Sequence, residues 1–98
     1  MPRQKSILHL TLKRNWFEEI AAGKKNKEYR EAKPYWETRL VGRNYDEIVF
    51  RNGYGKNVPE MRVEFLGVTR QGRGKSAEFV IRLGKVIEAK RWRGRSGR

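Results

Sequence analysis

Alternation of apolar and polar positions predicts the strands of this chain. In residues 7–12, the leucines at positions 8, 10 and 12 share one face, as expected for a strand with one buried side. Further strands are expected where short segments alternate or carry β-branched and aromatic residues, namely residues 47–51, 61–65 and 78–83, with a last strand over 85–89. In the strand from Met61, the apolar positions change from odd to even numbers, which predicts a β-bulge within residues 65–67.

Two segments carry apolar residues at helical spacing. The first ends before Gly23, with Asn15 as the expected N-cap and Glu18 in the capping-box position. The second spans residues 33–42, with Pro34 suited to its first turn. The apolar face of the first helix is expected to hold Trp16, Phe17, Ile20 and Ala21. The pattern predicts an α+β fold, a small mixed β-barrel of five to six strands with two short helices near the N-terminus.

The length and composition fit one domain followed by a basic tail. A chain of 98 residues has room for one modest core, and three Trp, four Tyr and four Phe are too many for a disordered chain. The folded domain is expected over residues 1–89. Residues 90–98 contain five basic and no acidic residues, and we expect them to form a disordered tail.

The positive charge is not confined to that tail. The whole chain carries a net charge of +13, and residues 1–89 still hold 19 basic against 11 acidic residues, a net charge of +8. A body this basic favours polyanionic partners, because its field raises their local concentration. RNA, either single-stranded or structured, is the expected partner.

Several other classes of protein are disfavoured by the residues that the chain lacks. It has no cysteine and a single histidine, His9, which excludes disulfides, thiolate metal sites and the common His-rich zinc sites. We expect no cofactor and no tightly bound metal, and a structural role for His9. The apolar run over residues 7–12 is too short and too polar for a signal peptide or a membrane span, so a cytoplasmic protein without a membrane partner is predicted. We also expect a monomer.

One motif gives the sequence a specific resemblance. Gly23, Lys25, Glu28 and Arg30 match the G-x-K-x-x-E-x-R signature of the ASCH domain family, placed after a first strand and helix as in that family. The resemblance covers about residues 7–89, and a bacterial and phage branch of the family is similar at residues 29–31, 33–36, 39–40 and 50–55. It implies a PUA-like β-barrel whose motif lines a cleft for RNA or modified nucleotides.

The spacing of the motif sets a structural condition that does not depend on the family. On an extended strand Glu28 and Arg30 share one face, whereas Lys25 has the wrong parity to meet them. Lys25 can join them only if the chain turns between Gly23 and Asn26. By spacing alone, an ordinary ion pair on a barrel strand is the favoured interpretation. The resemblance favours a ligand cleft instead, with Lys25, Glu28 and Arg30 as the candidate catalytic residues.

Basic and aromatic residues elsewhere form a pool of candidate RNA contacts. Phosphates pair with Lys and Arg while bases stack on rings. Trp36 and Phe50 suit either the core or a contact, and Asn52 suits either a base edge or an ordinary Asn-Gly turn. The loop over residues 71–76 lacks the spacing of a phosphate-binding loop and is interpreted as a flexible basic hairpin. The candidate ligand-binding residues are Lys13, Tyr35, Trp36, Arg39, Arg51, Asn52 and Tyr54.

These observations lead to one main function and two alternatives. The main hypothesis is RNA binding in the motif-lined cleft, with or without a ribonuclease-like activity. One ASCH branch resembles amidohydrolases that act on acetylated cytidine, but Glu28 stands where that branch has a threonine, and this departure argues against deacetylation. The other alternative is a non-enzymatic reader of RNA or of a modified base.

Overall fold

A computed structural model describes residues 4–92 of the chain, which form one five-stranded sheet and two short helices. The elements are β1 (Ile7–Thr11), α1 (Arg14–Ala21), β2 (Lys27–Glu31), α2 (Pro34–Leu40), β3 (Glu47–Arg51), β4 (Glu60–Gln71), a 3₁₀ turn (Gly74–Ser76) and β5 (Glu78–Lys90). The sheet order is β1-β3-β4-β5-β2, with β1 parallel to β3 and the other pairs antiparallel. The α+β class is therefore confirmed.

The sheet curls into a half-barrel because β4 and β5 are long and irregular. The first residues of β4 pair with β3. β2 pairs with residues 78–82 of β5, which lie opposite the last residues of β4. The register between β4 and β5 shifts three times between Arg62 and Gly67, which confirms the predicted bulge. Gly67 has a φ of +133°, a backbone conformation that other residues rarely adopt, so this bend favours glycine.

The two predicted C-terminal strands form one continuous strand. Gly84, which lies between them, approaches the Glu64 side chain so closely that a Cβ would lie 2.6 Å from Oε1. The same Oε1 accepts a hydrogen bond from the backbone N–H of Lys85 at 2.8 Å. Gly84 therefore allows a close contact within β5 and does not end the strand.

The predicted start of α1 is wrong by two residues. Lys13, with an extended backbone, is the N-cap, and Asn15 lies inside the first turn. The Lys13 carbonyl accepts the backbone N–H of Phe17 at 3.0 Å, and no side chain caps the helix. The expected capping box with Glu18 does not form. Burial of Phe17 and Ile20 sets the phase of this helix, so packing outweighs the local preference for Asn at the cap.

The core lies between the concave face of the sheet and the two helices. Phe50 is fully buried, so its place is in the core and it is not available as a ligand contact. Trp36 is half-buried and packs against the same cluster, at its edge. The largest fully buried side chains are Phe17, Ile20, Leu40, Ile48, Phe50, Met61, Val63 and Ile81.

The chain stays with the folded body beyond the expected domain boundary. β5 extends to Lys90, and Trp92 packs against the core. Of the expected tail, residues 93–98 lie outside the described residues. Within residues 4–92, no helix is long and apolar enough to cross a membrane.

Candidate nucleic-acid interface

The candidate site lies where the two edges of the curled sheet approach each other. Among the described residues, β1 pairs only with β3 and β2 only with β5, so β1 and β2 are the edge strands. Arg30 on β2 links them, because its Nη2 donates a hydrogen bond to the carbonyl of Thr11 at 3.2 Å. A side chain therefore joins the two edges in place of a backbone ladder.

The parallel pairing of β1 and β3 brings a second pair of segments to this place. Both strands end at the same edge of the sheet, so Lys13 follows β1 next to the segment that follows β3. Asn52 fixes this arrangement, since its Nδ2 donates to the carbonyl of Leu12 at 3.0 Å. The Asn52 side chain therefore joins the segment that follows β3 to the segment that follows β1.

These elements enclose a cleft of about 450 Å³, here called the motif cleft. Its floor contains Glu28 and Arg30, and its rim contains the segments that follow β1 and β3. The lining residues are Thr11, Leu12, Lys13, Trp16, Glu28, Arg30, Asn52, Gly53 and Tyr54.

Lys25, Glu28 and Arg30 of the motif converge as the parity argument required. Glu28 is buried, and its Oε2 lies 2.9 Å from Nη2 of Arg30 on the same face of β2. The chain turns before β2, where Gly23 has a φ of +78°, and this turn brings Nζ of Lys25 to 3.7 Å from Glu28 Oε1. One buried carboxylate therefore holds two cations of opposite parity.

Lys25 is also enclosed by aromatic rings. Its Nζ lies 4.4 Å from the centre of the Trp16 ring and 5.5 Å from that of Tyr29. These residues and Glu28 line a smaller hollow of about 380 Å³, here called the Lys25 hollow, which shares Trp16 and Glu28 with the motif cleft. Cation–π contact and the ion pair together fix the position of the ammonium group.

Two aromatic side chains of the motif cleft remain open to a ligand. Tyr54 is 90% exposed and Trp16 is 41% exposed. Sequence reasoning placed Trp16 on the buried face of α1 and missed it as a site residue. Trp16 follows the basic pair Lys13-Arg14 by two residues, but this proximity alone does not indicate that its ring reaches the cleft.

The remaining predicted contacts lie outside the motif cleft. Trp36 lies next to it, with its ring 5.0 Å from Cζ of Arg30, and Tyr35 meets Trp36 edge to face at 4.8 Å between ring centres. Arg39 stacks on Tyr35, with Cζ 3.5 Å from the ring centre. Tyr35, Trp36 and Arg39 therefore form a surface on α2 beside the motif cleft and do not line it.

Arg51 has a structural role in the loop that follows β3. Its Nη2 donates to the carbonyl of Gly55, and its Nε lies 3.6 Å from a carboxylate oxygen of Glu60. Both contacts hold the loop that contains Tyr54. Arg51 therefore supports the rim of the motif cleft without lining it.

The charges of the site suit an anion better than a metal ion. Glu28 pairs with Arg30 and with Lys25 of the adjoining hollow, and Lys13 adds a further cation to the lining of the motif cleft. Among residues 4–92, no group of three or more His, Cys, Asp or Glu side chains is arranged to hold a metal ion. The arrangement offers fixed cations to phosphate oxygens and exposed rings to bases.

Comparisons with protein-family models, curated proteins and solved structures give no match for this chain. The resemblance to the ASCH family therefore depends on the motif residues themselves.

Proposed function

We propose that the motif cleft binds single-stranded RNA, with an unpaired base stacked on its exposed rings and a phosphate near its cations. The observation that carries this proposal is the convergence, in one open cleft, of Trp16 and Tyr54 with Lys13 and Arg30 above a buried Glu28. Rings and cations in one place are what an RNA strand requires, because each nucleotide presents a π-face and a charge.

The size and shape of the cleft favour an unpaired nucleotide over a duplex. A volume of about 450 Å³ is in the range of small-ligand sites. A base can stack on Trp16 or Tyr54 only when it is not stacked within a helix, and a modified nucleotide meets the same requirement. Glu28 neutralises only part of the positive charge, since it is one carboxylate among three cations.

The resemblance to ASCH domains supports the same proposal. The motif Gly23, Lys25, Glu28 and Arg30 leads into the cleft, which is the place that the family resemblance implies for a ligand. The curled five-stranded sheet is compatible with a small mixed barrel. We therefore also propose that the chain is an ASCH domain with a PUA-like fold.

Fluorescence anisotropy with short labelled RNA tests the proposal. Replacing Trp16 or Tyr54 with alanine should weaken binding of single-stranded RNA about 5- to 150-fold, since stacking contributes roughly 1–3 kcal/mol per base. Lys13→Ala should lower the slope of log affinity against log salt by about 0.7, the value for one phosphate contact on a single strand.

Lys85→Ala is the matched control for charge. Lys85 is exposed, and it lines none of the clefts near the motif. It should leave both affinity and salt slope near the values of the wild type. If Lys13→Ala and Lys85→Ala weaken binding equally, RNA is held by diffuse charge and the motif cleft is not the site.

The geometry of Glu28 favours RNA cleavage as a second activity of the same cleft. Oε2 of Glu28 is bound to Arg30 at 2.9 Å, whereas Oε1 lies 3.7 Å from Lys25 and is less tightly held. In this proposal Oε1 takes the proton of a ribose 2′-OH as its oxygen attacks the adjacent phosphorus. The bond to the 5′-oxygen breaks, which leaves a 2′,3′-cyclic phosphate and a 5′-hydroxyl that takes its proton from water. Lys25 and Arg30 then stabilise the charge that develops on the phosphate.

Cleavage of end-labelled RNA by the wild type and by Lys25→Ala tests this activity. We expect cleavage by the wild type, a loss of at least tenfold in Lys25→Ala, and no loss in Lys27→Ala, which removes an exposed cation from the opposite face of β2. Equal rates in the wild type and Lys25→Ala, or no cleavage by either, would refute catalysis and leave RNA binding as the function.

A further inference from the structure

A row of side-chain contacts leads from the motif cleft onto helix α2. On the floor of the cleft, Cζ of Arg30 lies 5.0 Å from the centre of the Trp36 ring. Trp36 is half-buried and meets Tyr35 edge to face, with 4.8 Å between the two ring centres. The Tyr35 ring is therefore separated from the cleft floor by only two contacts.

Tyr35 presents an open ring that is held by its neighbours. It is 56% exposed, so a ligand can reach it from solvent. Cζ of Arg39, one helical turn later, lies 3.5 Å from the centre of this ring. Nη1 of Arg39 also donates a hydrogen bond to the carbonyl of Tyr35 at 3.0 Å, which anchors the guanidinium group to the backbone. A ring and a cation that are already positioned lose little conformational freedom when a ligand binds.

The charge of Arg39 is not compensated by a carboxylate. Two other cations beside α2 are paired, Lys33 with Glu31 at 3.2 Å and Arg70 with Glu37 at 3.3 Å. Arg39 is exposed and forms no ion pair within residues 4–92. A guanidinium group has five N–H donors, so the bond to the Tyr35 carbonyl leaves donors for a ligand. A free cation beside an open ring suits a phosphate next to a base.

We infer that Tyr35 and Arg39 form a second nucleotide subsite, here called the α2 subsite, and that one RNA strand runs to it from the motif cleft across Arg30 and Trp36. This inference rests on the proposed function of the motif cleft. A base stacks on the open part of the Tyr35 ring, and Arg39 binds a phosphate oxygen beside it. Successive nucleotides of a stacked strand rise by about 3.4 Å. A few nucleotides therefore cover the two contacts of 5.0 and 4.8 Å that separate the sites.

Titrations with a short and a long ligand, followed by tryptophan fluorescence, test the inference in the intact chain. Uridine 5′-monophosphate fills only the motif cleft, whereas hexauridylate reaches both sites. Tyr35→Ala should weaken binding of the hexanucleotide about 5- to 150-fold, the effect of one lost base stack, and leave the affinity for the mononucleotide unchanged. Tyr35→Phe is the matched control, because it keeps the ring and should bind both ligands like the wild type.

Salt dependence and crosslinking provide further measurements. Arg39→Ala should lower the slope of log affinity against log salt by about 0.7 for the hexanucleotide and leave it unchanged for the mononucleotide. Lys85→Ala, which removes an exposed cation outside both sites, should change neither slope. Hexauridylate with a single 5-iodouridine, irradiated on the wild type, should crosslink to Trp16 or Tyr54 from one position and to Tyr35 from another.

The possible results separate the two proposals. If Tyr35→Ala binds the hexanucleotide as tightly as the wild type, or loses affinity for both ligands by the same factor, the α2 subsite is refuted and the proposed function stands. If the wild type binds neither ligand, the proposed function is refuted and the inference with it. Crosslinks to Tyr35 without any to Trp16 or Tyr54 would overturn both the shared strand and the assignment of the motif cleft.

Discussion

Replacing Glu28 with glutamine should destabilise the protein far more than the same change elsewhere on β2. The substitution keeps the shape of the side chain and removes the charge that holds Arg30 at 2.9 Å and Lys25 at 3.7 Å. Both cations have side chains that are only 19% exposed, so solvent cannot fully replace the lost partner. The amide oxygen of glutamine can still accept hydrogen bonds, but a neutral amide cannot compensate two positive charges.

The size of the effect follows from burial. Removing one partner of a buried ion pair costs about 3–5 kcal/mol. Here the cations keep some contact with water and Arg30 keeps the carbonyl of Thr11, so we expect about 2–3 kcal/mol. Glu31→Gln is the matched control, because Glu31 lies on the same strand and pairs with Lys33 but is 72% exposed. An exposed pair contributes about 0–1 kcal/mol.

Urea unfolding followed by circular dichroism measures this difference. Relative to Glu31→Gln, Glu28→Gln should lose about 2 kcal/mol, equivalent to a melting temperature lower by roughly 8–16 °C for a domain of this size. The double variant Glu28→Gln, Arg30→Met should recover part of the loss, since it leaves one cation fewer without a partner. Equal losses for Glu28→Gln and Glu31→Gln, or strict additivity in the double variant, would show that the pair is not coupled and would refute the reasoning.

Two further substitutions test the geometry of the fold. In urea unfolding, Gly72→Ala should lower the free energy of unfolding by at least about 1 kcal/mol more than Gly42→Ala. Both glycines have a positive φ, but only at Gly72 would a Cβ clash, because it would lie 2.7 Å from the carbonyl oxygen of Ser76. Equal losses in the two variants would contradict this. Arg30→Lys keeps the charge but not the planar donor group that reaches two acceptors, so amide exchange in β1 and β2 should accelerate more than about tenfold, whereas Arg70→Lys at an exposed pair should leave it unchanged.

Local patterns in the sequence were sufficient for much of the sheet. Alternation located β1 and β3 within a residue of their observed ends, and the change of parity after Phe65 located the bulge. The extension of β4 to Gln71 was not predicted, because after the bulge this segment is held by pairing with β5 and not by its own pattern. The cap of α1 was wrong for a similar reason, since the burial of its apolar face determines where it begins.

Part of the candidate site could likewise be predicted from local patterns, and part of it could not. The shared face of Glu28 and Arg30, and the turn that Lys25 needs, follow from side-chain alternation and could be stated in advance. The role of Trp16 at the cleft could not, because it depends on the parallel pairing of β1 with β3 and on the approach of β2. Such contacts join segments distant in sequence, and a single sequence carries no local signal for them.

The same few side chains close the sheet and form the floor of the motif cleft. Edge strands joined by a backbone ladder would lie about 4.8 Å apart and leave no space for a ligand. Here Arg30 joins the edges by its side chain, and Glu28 is buried beneath it to hold the guanidinium in place. The cleft exists because a side-chain hydrogen bond from Arg30, and not a backbone ladder, joins the two edges of the half-barrel. Stability and ligand binding are therefore coupled through Glu28 and Arg30, and binding by variants at these positions has to be compared at equal fractions of folded protein.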